Sequence, residues 1–230
     1  MPFDNNHDLA VRRSASAASS FEVSAPHRSQ SGKRVFDFIA ALLLAPFVAV
    51  AVLFLAALIF AVDGQPAFFG QMRVGRGGRL FRCWKLRTMV RDAEARLASV
   101  LESDPAAAEE WVLYQKLRND PRVTPLGRFL RKTSLDELPQ LWNVLRGEMS
   151  LVGPRPIVTD EIARYGSDIS FYCAVRPGVT GLWQVSGRSG TSYEERVAMD
   201  RRYVEERTLG GDVALIARTV MAVLTRRGAA

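Results

Sequence analysis

Residues 35–62 read VFDFIAALLLAPFVAVAVLFLAALIFAV, with Asp37 the one charge among them. Within the chain this is the one run long and apolar enough to enter a bilayer. A straight helix of these 28 residues would be about 42 Å long against a hydrocarbon core of about 30 Å, so the segment must tilt or bend. Pro46 lies near its middle, where it removes a backbone hydrogen bond and crowds the preceding turn, so a kink is expected there. Arg28, Lys33 and Arg34 precede the run, and Arg73, Arg76, Arg79 and Arg82 follow it. Basic flanks stay cytoplasmic, which favours a re-entrant helix with both ends on one face over a straight span. Asp37 is expected near the headgroups, because an isolated charge deeper in lipid is costly.

Outward from this segment, residues 1–32 are rich in Ser and Ala and lack the apolar content that offsets ordering entropy, so they read as a disordered polar tail. The apolar run starts too late and continues too long for a secretory signal. The expected division is the tail at 1–32, a re-entrant membrane helix at 33–63 and a cytoplasmic domain at 64–230. The whole chain has 230 residues, 48% hydrophobic and 24% charged, which suits one moderate domain with an appendage. A net charge of +7 points to anionic partners: membrane lipid, nucleic acid or phosphorylated substrates. Cys83 and Cys173 are the only cysteines and have no ligand-spaced companions, which argues against a disulfide framework or zinc site. His7 and His27 both fall in the tail, so catalytic candidates reduce to carboxylates, Lys, Arg, Tyr and hydroxyls.

Residues 79–88 alternate basic and apolar side chains, as in a half-buried strand. An Ala-rich, acidic stretch at 90–118 predicts a helix interrupted near Pro105, and Leu126–Arg131 a basic amphipathic helix. Leu138, Leu141, Trp142 and Leu145 fall at helical spacing, predicting a helix from Leu135 that packs these four and turns Asp136, Glu137 and Gln140 elsewhere, with Ser134 as its cap. Five glycines and prolines between 174 and 190 predict a loop. Near the C-terminus, Leu215, Ile216, Val220, Val223 and Leu224 oppose Arg218, Arg226 and Arg227, as in an interfacial helix or, equally, an ordinary core helix. The fold class expected is mixed α/β: a mostly helical domain with a small sheet element, one re-entrant membrane helix and interfacial amphipathic helices.

Asp136 and Glu137 hold the chemistry. Adjacent carboxylates can bind a hard divalent cation through oxygen, and one can attack phosphorus as a nucleophile. Arg155, between Pro154 and Pro156, has a guanidinium prepositioned by rigid backbone for bidentate phosphate contact. Lys85, Arg131 and Arg188 are further cations near loops rich in Gly and Pro.

The strings KRVFD at 33–37, KLRTM at 85–89, TSLDELPQ at 133–140, SLVGPRP at 150–156 and RPGVTG at 176–181 resemble, in order, the bacterial sugar transferases, the monotopic polyprenyl-phosphate phosphoglycosyl transferases. The resemblance runs from about residue 32 to the C-terminus. It implies that Asp136 attacks the β-phosphate of a UDP-sugar and releases UMP, after which undecaprenyl phosphate takes the sugar phosphate from the enzyme. It further implies that Glu137 completes the dyad, that Mg²⁺ bridges Asp136 and the diphosphate, and that Lys85, Arg131, Arg155, Arg188, Asp200 and Asp212 are the remaining polar positions. Arg155 and Arg188 are then the phosphate contacts, and Asp200 orients one of these arginines. Where relatives often carry Ser before the membrane-helix proline, this chain has Ala45. It resembles the short, exopolysaccharide-priming form at the cytoplasmic face of the inner membrane, acting on galactose or glucose phosphate, with no nucleic acid as partner and a homodimer left open. The rival reading is a membrane-tethered module that binds anionic lipid or nucleic acid without turnover; it gives no reason for the dyad to sit among cations.

Overall fold

The computed structural model describes residues 31–114, 117, 119–186 and 191–224. The apolar segment forms one helix, α1 (Ser31–Asp63), with Pro46 inside it. Proline has no N–H to donate, so the carbonyl of Leu42 loses its helical partner there. Within Gly32–Asp63 of α1 an 18-residue window has a mean hydropathy of 2.9. Its middle is bare, with Leu43, Phe47, Val50 and Phe54 each about two-thirds exposed or more. So large an exposed apolar surface is stable only against lipid or a partner.

Both ends of α1, by contrast, pack on the rest of the chain. Near its start Ala41 joins Phe81, Cys83, Val144 and Met149; near its finish Leu55 and Ile59 join Leu86 and Leu130. Asp37, near the entry of the helix, is held by the chain itself. It is 1% exposed inside protein, accepting bonds from Lys33 Nζ (2.8 Å), Ser150 Oγ (2.8 Å) and the amide of Leu151 (3.2 Å). A buried carboxylate with three donors is satisfied without water, which is why it can sit where an isolated one could not.

Two strands follow, β1 (Phe68–Val74) and β2 (Leu80–Leu86), antiparallel and in register from Phe68 opposite Leu86 to Val74 opposite Leu80. The alternation at 79–88 is therefore a strand. Helices α2 (Ala93–Ser103) and α3 (Pro105–Tyr114) lie either side of Asp104, whose carboxylate accepts from the amides of Ala106 and Ala107. Pro105 thus starts a helix at a first-turn position, where its missing N–H is harmless. Helix α4 (Pro125–Thr133) is capped by Thr124, whose hydroxyl accepts from Gly127 N.

The helix expected from Leu135 is instead a single 3-10 turn, Leu135–Glu137, followed by α5 (Gln140–Arg146). Ser134 does not cap it through its side chain; its backbone is left-handed (φ 57°), and its amide closes α4 on Arg131 O. Leu138, Leu141 and Leu145 pack against the core as expected, but Gln140 is buried and Trp142 is 56% exposed. The segment is a 3-10 turn run into a short α-helix rather than one continuous α-helix, so the single helical phase on which that assignment depended does not hold across it.

Strand β3 (Ser150–Val152) pairs in parallel with β4 (Gly178–Thr180), and α8 (Leu182–Ser186) follows, so part of the expected 174–190 loop is ordered structure. Glycine makes this possible: a Cβ on Gly178 or Gly181 would run into the backbone of Gly153. Between the strands lie α6 (Ile162–Tyr165) and α7 (Ile169–Ala174), and after them α9 (Tyr193–Glu206) and α10 (Leu209–Leu224). The stripe expected on α10 is split: Leu215 and Ile216 pack with Val152 and Tyr203, while Val220 and Met221 are exposed. Arg226 and Arg227 lie outside the described residues. The architecture is a mostly helical domain with two small two-stranded sheets and one long apolar helix.

Candidate active site

The left-handed turn at Ser134 swings the chain out of α4 and presents two consecutive carboxylates at the head of α5. Strand β2 brings Lys85 to them, with Nζ 2.6 Å from Glu137 Oε1 and 3.9 Å from Asp136 Oδ2. The Pro154–Pro156 turn after β3 adds Arg155, whose Nη1 is 3.6 Å from the same Glu137 oxygen. Glu137 is thus held between two cations. Among the described residues no hydrogen bond closes on the carboxylate of Asp136, which is 7% exposed.

Burial, more than any other influence, pushes the Asp136 carboxyl above its ordinary range, and the charge of Glu137 adds to this; Lys85, then Arg131 and Arg155, oppose it. Arg131 Nε donates to Thr88 Oγ1 (2.8 Å). It can do so because α4 runs against the backbone of Thr88 at Gly127, where a Cβ would collide with the Thr88 carbonyl. Burial lowers the Arg131 guanidinium from its ordinary value, with Asp136 the largest charge raising it.

Lys85, Arg131, Asp136, Glu137 and Arg155 are therefore brought together. Asp200 is placed in an adjoining buried cluster: Tyr165 donates to its Oδ2 (2.7 Å), and the charges nearest it are Arg196 and then Arg155. Burial raises its carboxyl to about 6. Arg188 lies outside the described residues. Asp212, buried, receives Lys33 Nζ at 3.1 Å, and the Tyr203 hydroxyl lies 2.9 Å from it. It belongs with Asp37 at the foot of α1 rather than with the dyad.

Several residues near the site went unmarked in the sequence. Trp183 on α8 has Arg196 over its ring at 5.0 Å and Arg155 at 5.9 Å, so one indole sits against two guanidinium groups. Arg196, with a side chain 10% exposed, reaches Glu161 at 3.2 Å. The tryptophan was legible as a residue but not as a platform, because the helix that presents it falls in a stretch of loop composition. Asn143 is fully buried on α5: its Nδ2 donates to Arg82 O (2.8 Å) and its Oδ1 accepts from Trp84 N (3.1 Å), tying α5 to β2. Chemically, the arrangement offers one carboxylate free to act, a second pinned by cations, and three positive charges about the pair, as an anionic diphosphate substrate requires.

A model of the family described as bacterial sugar transferase matches residues 28–226. The UDP-galactose-lipid carrier transferase of Erwinia amylovora is 51% identical over 207 residues, covering 89% of this chain and 43% of that protein. The undecaprenyl-phosphate galactose phosphotransferase of Salmonella typhimurium is 49% identical over 197 residues, 86% of this chain and 41% of that protein. The exopolysaccharide production protein ExoY of Sinorhizobium fredii is 47% identical over 196 residues, 85% of this chain and 87% of that protein. The chain thus spans about two-fifths of the first two relatives and nearly all of the third.

Proposed function

The chain belongs to the bacterial sugar transferase family, and from that premise we propose that it moves a hexose 1-phosphate from a UDP-sugar to undecaprenyl phosphate. The products are UMP and an undecaprenyl-diphosphate sugar, the first lipid-linked unit of an exopolysaccharide or other glycoconjugate. The observation that carries this reading is the asymmetry of the dyad: Lys85 and Arg155 both engage Glu137, leaving the buried carboxylate of Asp136 open.

Asp136 Oδ attacks the β-phosphorus of the donor, and the bond from that phosphorus to the bridging oxygen breaks, releasing UMP. A phosphate oxygen of undecaprenyl phosphate then attacks the same phosphorus, the bond to Asp136 breaks, and the carboxylate is restored. Lys85, Arg131 and Arg155 offset the repulsion between carboxylate and diphosphate and stabilise charge on the phosphoryl oxygens. Glu137 positions Lys85 and Arg155. The donor set fits Mg²⁺: Asp136 would hold it beside Glu137, and with no cluster of three ligand side chains among the described residues, diphosphate and water would complete the shell. When bound, the ion neutralises negative charge on the transferring group.

Two relatives are named for galactose, so UDP-galactose is the first donor to test. Detergent-held protein, Mg²⁺, undecaprenyl phosphate and UDP-galactose, then other UDP-hexoses, should release UMP. Release of UDP would mean direct glycosyl transfer instead, and no nucleotide from any donor would overturn the reading.

The re-entrant seat of α1 in the cytoplasmic face of the inner membrane is part of the same proposal. Its support is that the two ends of one helix, about 50 Å long if straight, pack on a single domain while its middle is bare. Exposed Phe129 beside Arg128 and Lys132 on α4, and Val220 and Met221 on α10, suit the lipid interface. Cysteines placed in either flank should resist labelling from outside intact cells; labelling of one flank would mean a full span.

A further inference from the structure

A cavity of about 520 Å³ lies away from the dyad, lined by Arg76 and Arg79 from the β1–β2 turn, Phe81, Gly147, Glu148 and Arg176. Its separation follows from the elements that build it. Phe81 and Lys85 are four residues apart on β2, so about 13 Å lies between the cavity wall and the dyad's lysine. The dyad precedes α5 and Gly147 follows it, which puts the two sites at opposite ends of the helix.

The charges of this cavity are not balanced. Glu148 is already engaged, by Arg146 at 3.1 Å and by Asn143 Nδ2 at 2.6 Å. Arg34 and Arg176 close the C-terminal end of α5: Arg34 donates to Val144 O (2.6 Å) and Leu145 O (2.9 Å), and Arg176 Nε to Gly147 O (2.7 Å). Arg176 lines the cavity, and Arg34 stands against Gly147 in its wall. Burial and the like charges of Arg76 and then Arg34 lower the Arg176 guanidinium from its ordinary value, with Asp37 opposing them. Arg76 and Arg79 are exposed and have no carboxylate partner among the described residues. Nothing in the folding of the turn calls for them, since Gly77, with φ 65°, already supplies its left-handed step.

Arg34 also fixes where the cavity lies, because it belongs to the first turn of α1, one residue before the apolar run. The guanidinium of Arg34 stands against Gly147 in the cavity wall, so the cavity lies beside the entry of α1. We propose that this arginine cavity binds the phosphate headgroup of an anionic phospholipid, a second anion site separate from the dyad that fixes the catalytic domain at one orientation on the membrane. Planar guanidinium groups match phosphate bidentately, and basic pockets beside membrane segments recognise anionic headgroups. The inference rests on the membrane seat proposed for α1 and not on phosphoryl transfer, because binding is read without any UDP-sugar.

The test uses the full chain in a neutral detergent, with dioleoylphosphatidylglycerol or dioleoylphosphatidylcholine added and retained lipid counted by native mass spectrometry. One phosphatidylglycerol should be retained about tenfold more than phosphatidylcholine. The double variant R76Q/R79Q, at two exposed positions, should lose about tenfold in that retention while unfolding at the same temperature without lipid. The control R96Q/R202Q, with the same change in charge elsewhere, should retain lipid as the unaltered chain does. Equal retention of the two lipids, undiminished retention by R76Q/R79Q, or equal loss in the control would each overturn the site. Complete displacement by millimolar inorganic phosphate would make it a free-phosphate site and overturn the headgroup assignment. A chain that stays soluble without detergent would refute the membrane seat itself.

Discussion

Lys85 reaches past Asp136 to Glu137: its Nζ is 2.6 Å from the glutamate oxygen and 3.9 Å from the aspartate's. A lysine bound tightly to the nucleophile would hold its lone pairs, so this preference leaves Asp136 reactive while keeping positive charge close. Glu137→Gln should let Lys85 turn to Asp136, and turnover is expected to fall about 10²-fold, the scale on which one positioned proton or charge partner counts. Phosphosugar should still be trapped on the protein when acceptor lipid is withheld, as intact-mass measurement would read. Asp136→Asn should trap none and turn over none. Trapping by Asp136→Asn would move the nucleophile elsewhere.

Arg155 is held by prolines on either side, an ion pair to Glu137 and the face of Trp183. Lysine keeps its charge but neither the planar fork nor the stacking. Arg155→Lys should raise KM for the UDP-sugar about tenfold with a smaller change in kcat, since the lost contact is made to bound donor and transition state alike. A fall in kcat at constant KM would mean that Arg155 acts only on the transition state.

How much of this was legible follows residue by residue. The apolar run, the β2 alternation and the helices on each side of Pro105 were written in local patterns, and they are present. So was the grouping of Asp136 and Glu137 with cations, though only as composition; Lys85 and Arg155 are 52 and 18 residues from Glu137, and only the fold brings them to it. What failed to show was tertiary. The β3–β4 pairing consists of two three-residue strands whose contact depends on glycines, and glycine-rich sequence reads as loop. Asp37 looked like a charge awaiting headgroups because its donors Ser150 and Leu151 are more than a hundred residues away. Ser134 took a left-handed conformation that no spacing rule anticipates for a non-glycine residue.

That buried Asp37 makes its own prediction. Asp37→Ala strips an acceptor from Ser150 Oγ and Leu151 N and leaves Lys33 with Asp212 as its remaining carboxylate. Loss of one member of a buried ion pair costs about 3 kcal/mol, or roughly 6–12 °C in melting temperature for a domain of this size. Differential scanning fluorimetry in detergent reads this directly. A melting temperature unchanged by Asp37→Ala would show that the carboxylate does not join α1 to β3.

Asp200 gives a dependence on pH whose sign can be worked out. Its carboxyl rises from an ordinary 3.8 to about 6, because burial disfavours the charge more than Tyr165 and Arg196 favour it. A folded-state value above the unfolded one means that protonated Asp200 supports the fold. That support is full below pH 3.8 and is lost as pH rises through about 6. An asparagine side chain cannot ionise, so the stability of Asp200→Asn relative to the unaltered chain should climb by about 2 kcal/mol between pH 4 and pH 8. Tyr165 can still donate to the amide oxygen of the asparagine, so the variant keeps the bond that orients the cluster. The measurement is the melting temperature of both chains across that range in one buffer series. Parallel curves would assign the pH response to other groups and place the proton of Asp200 outside the folding equilibrium.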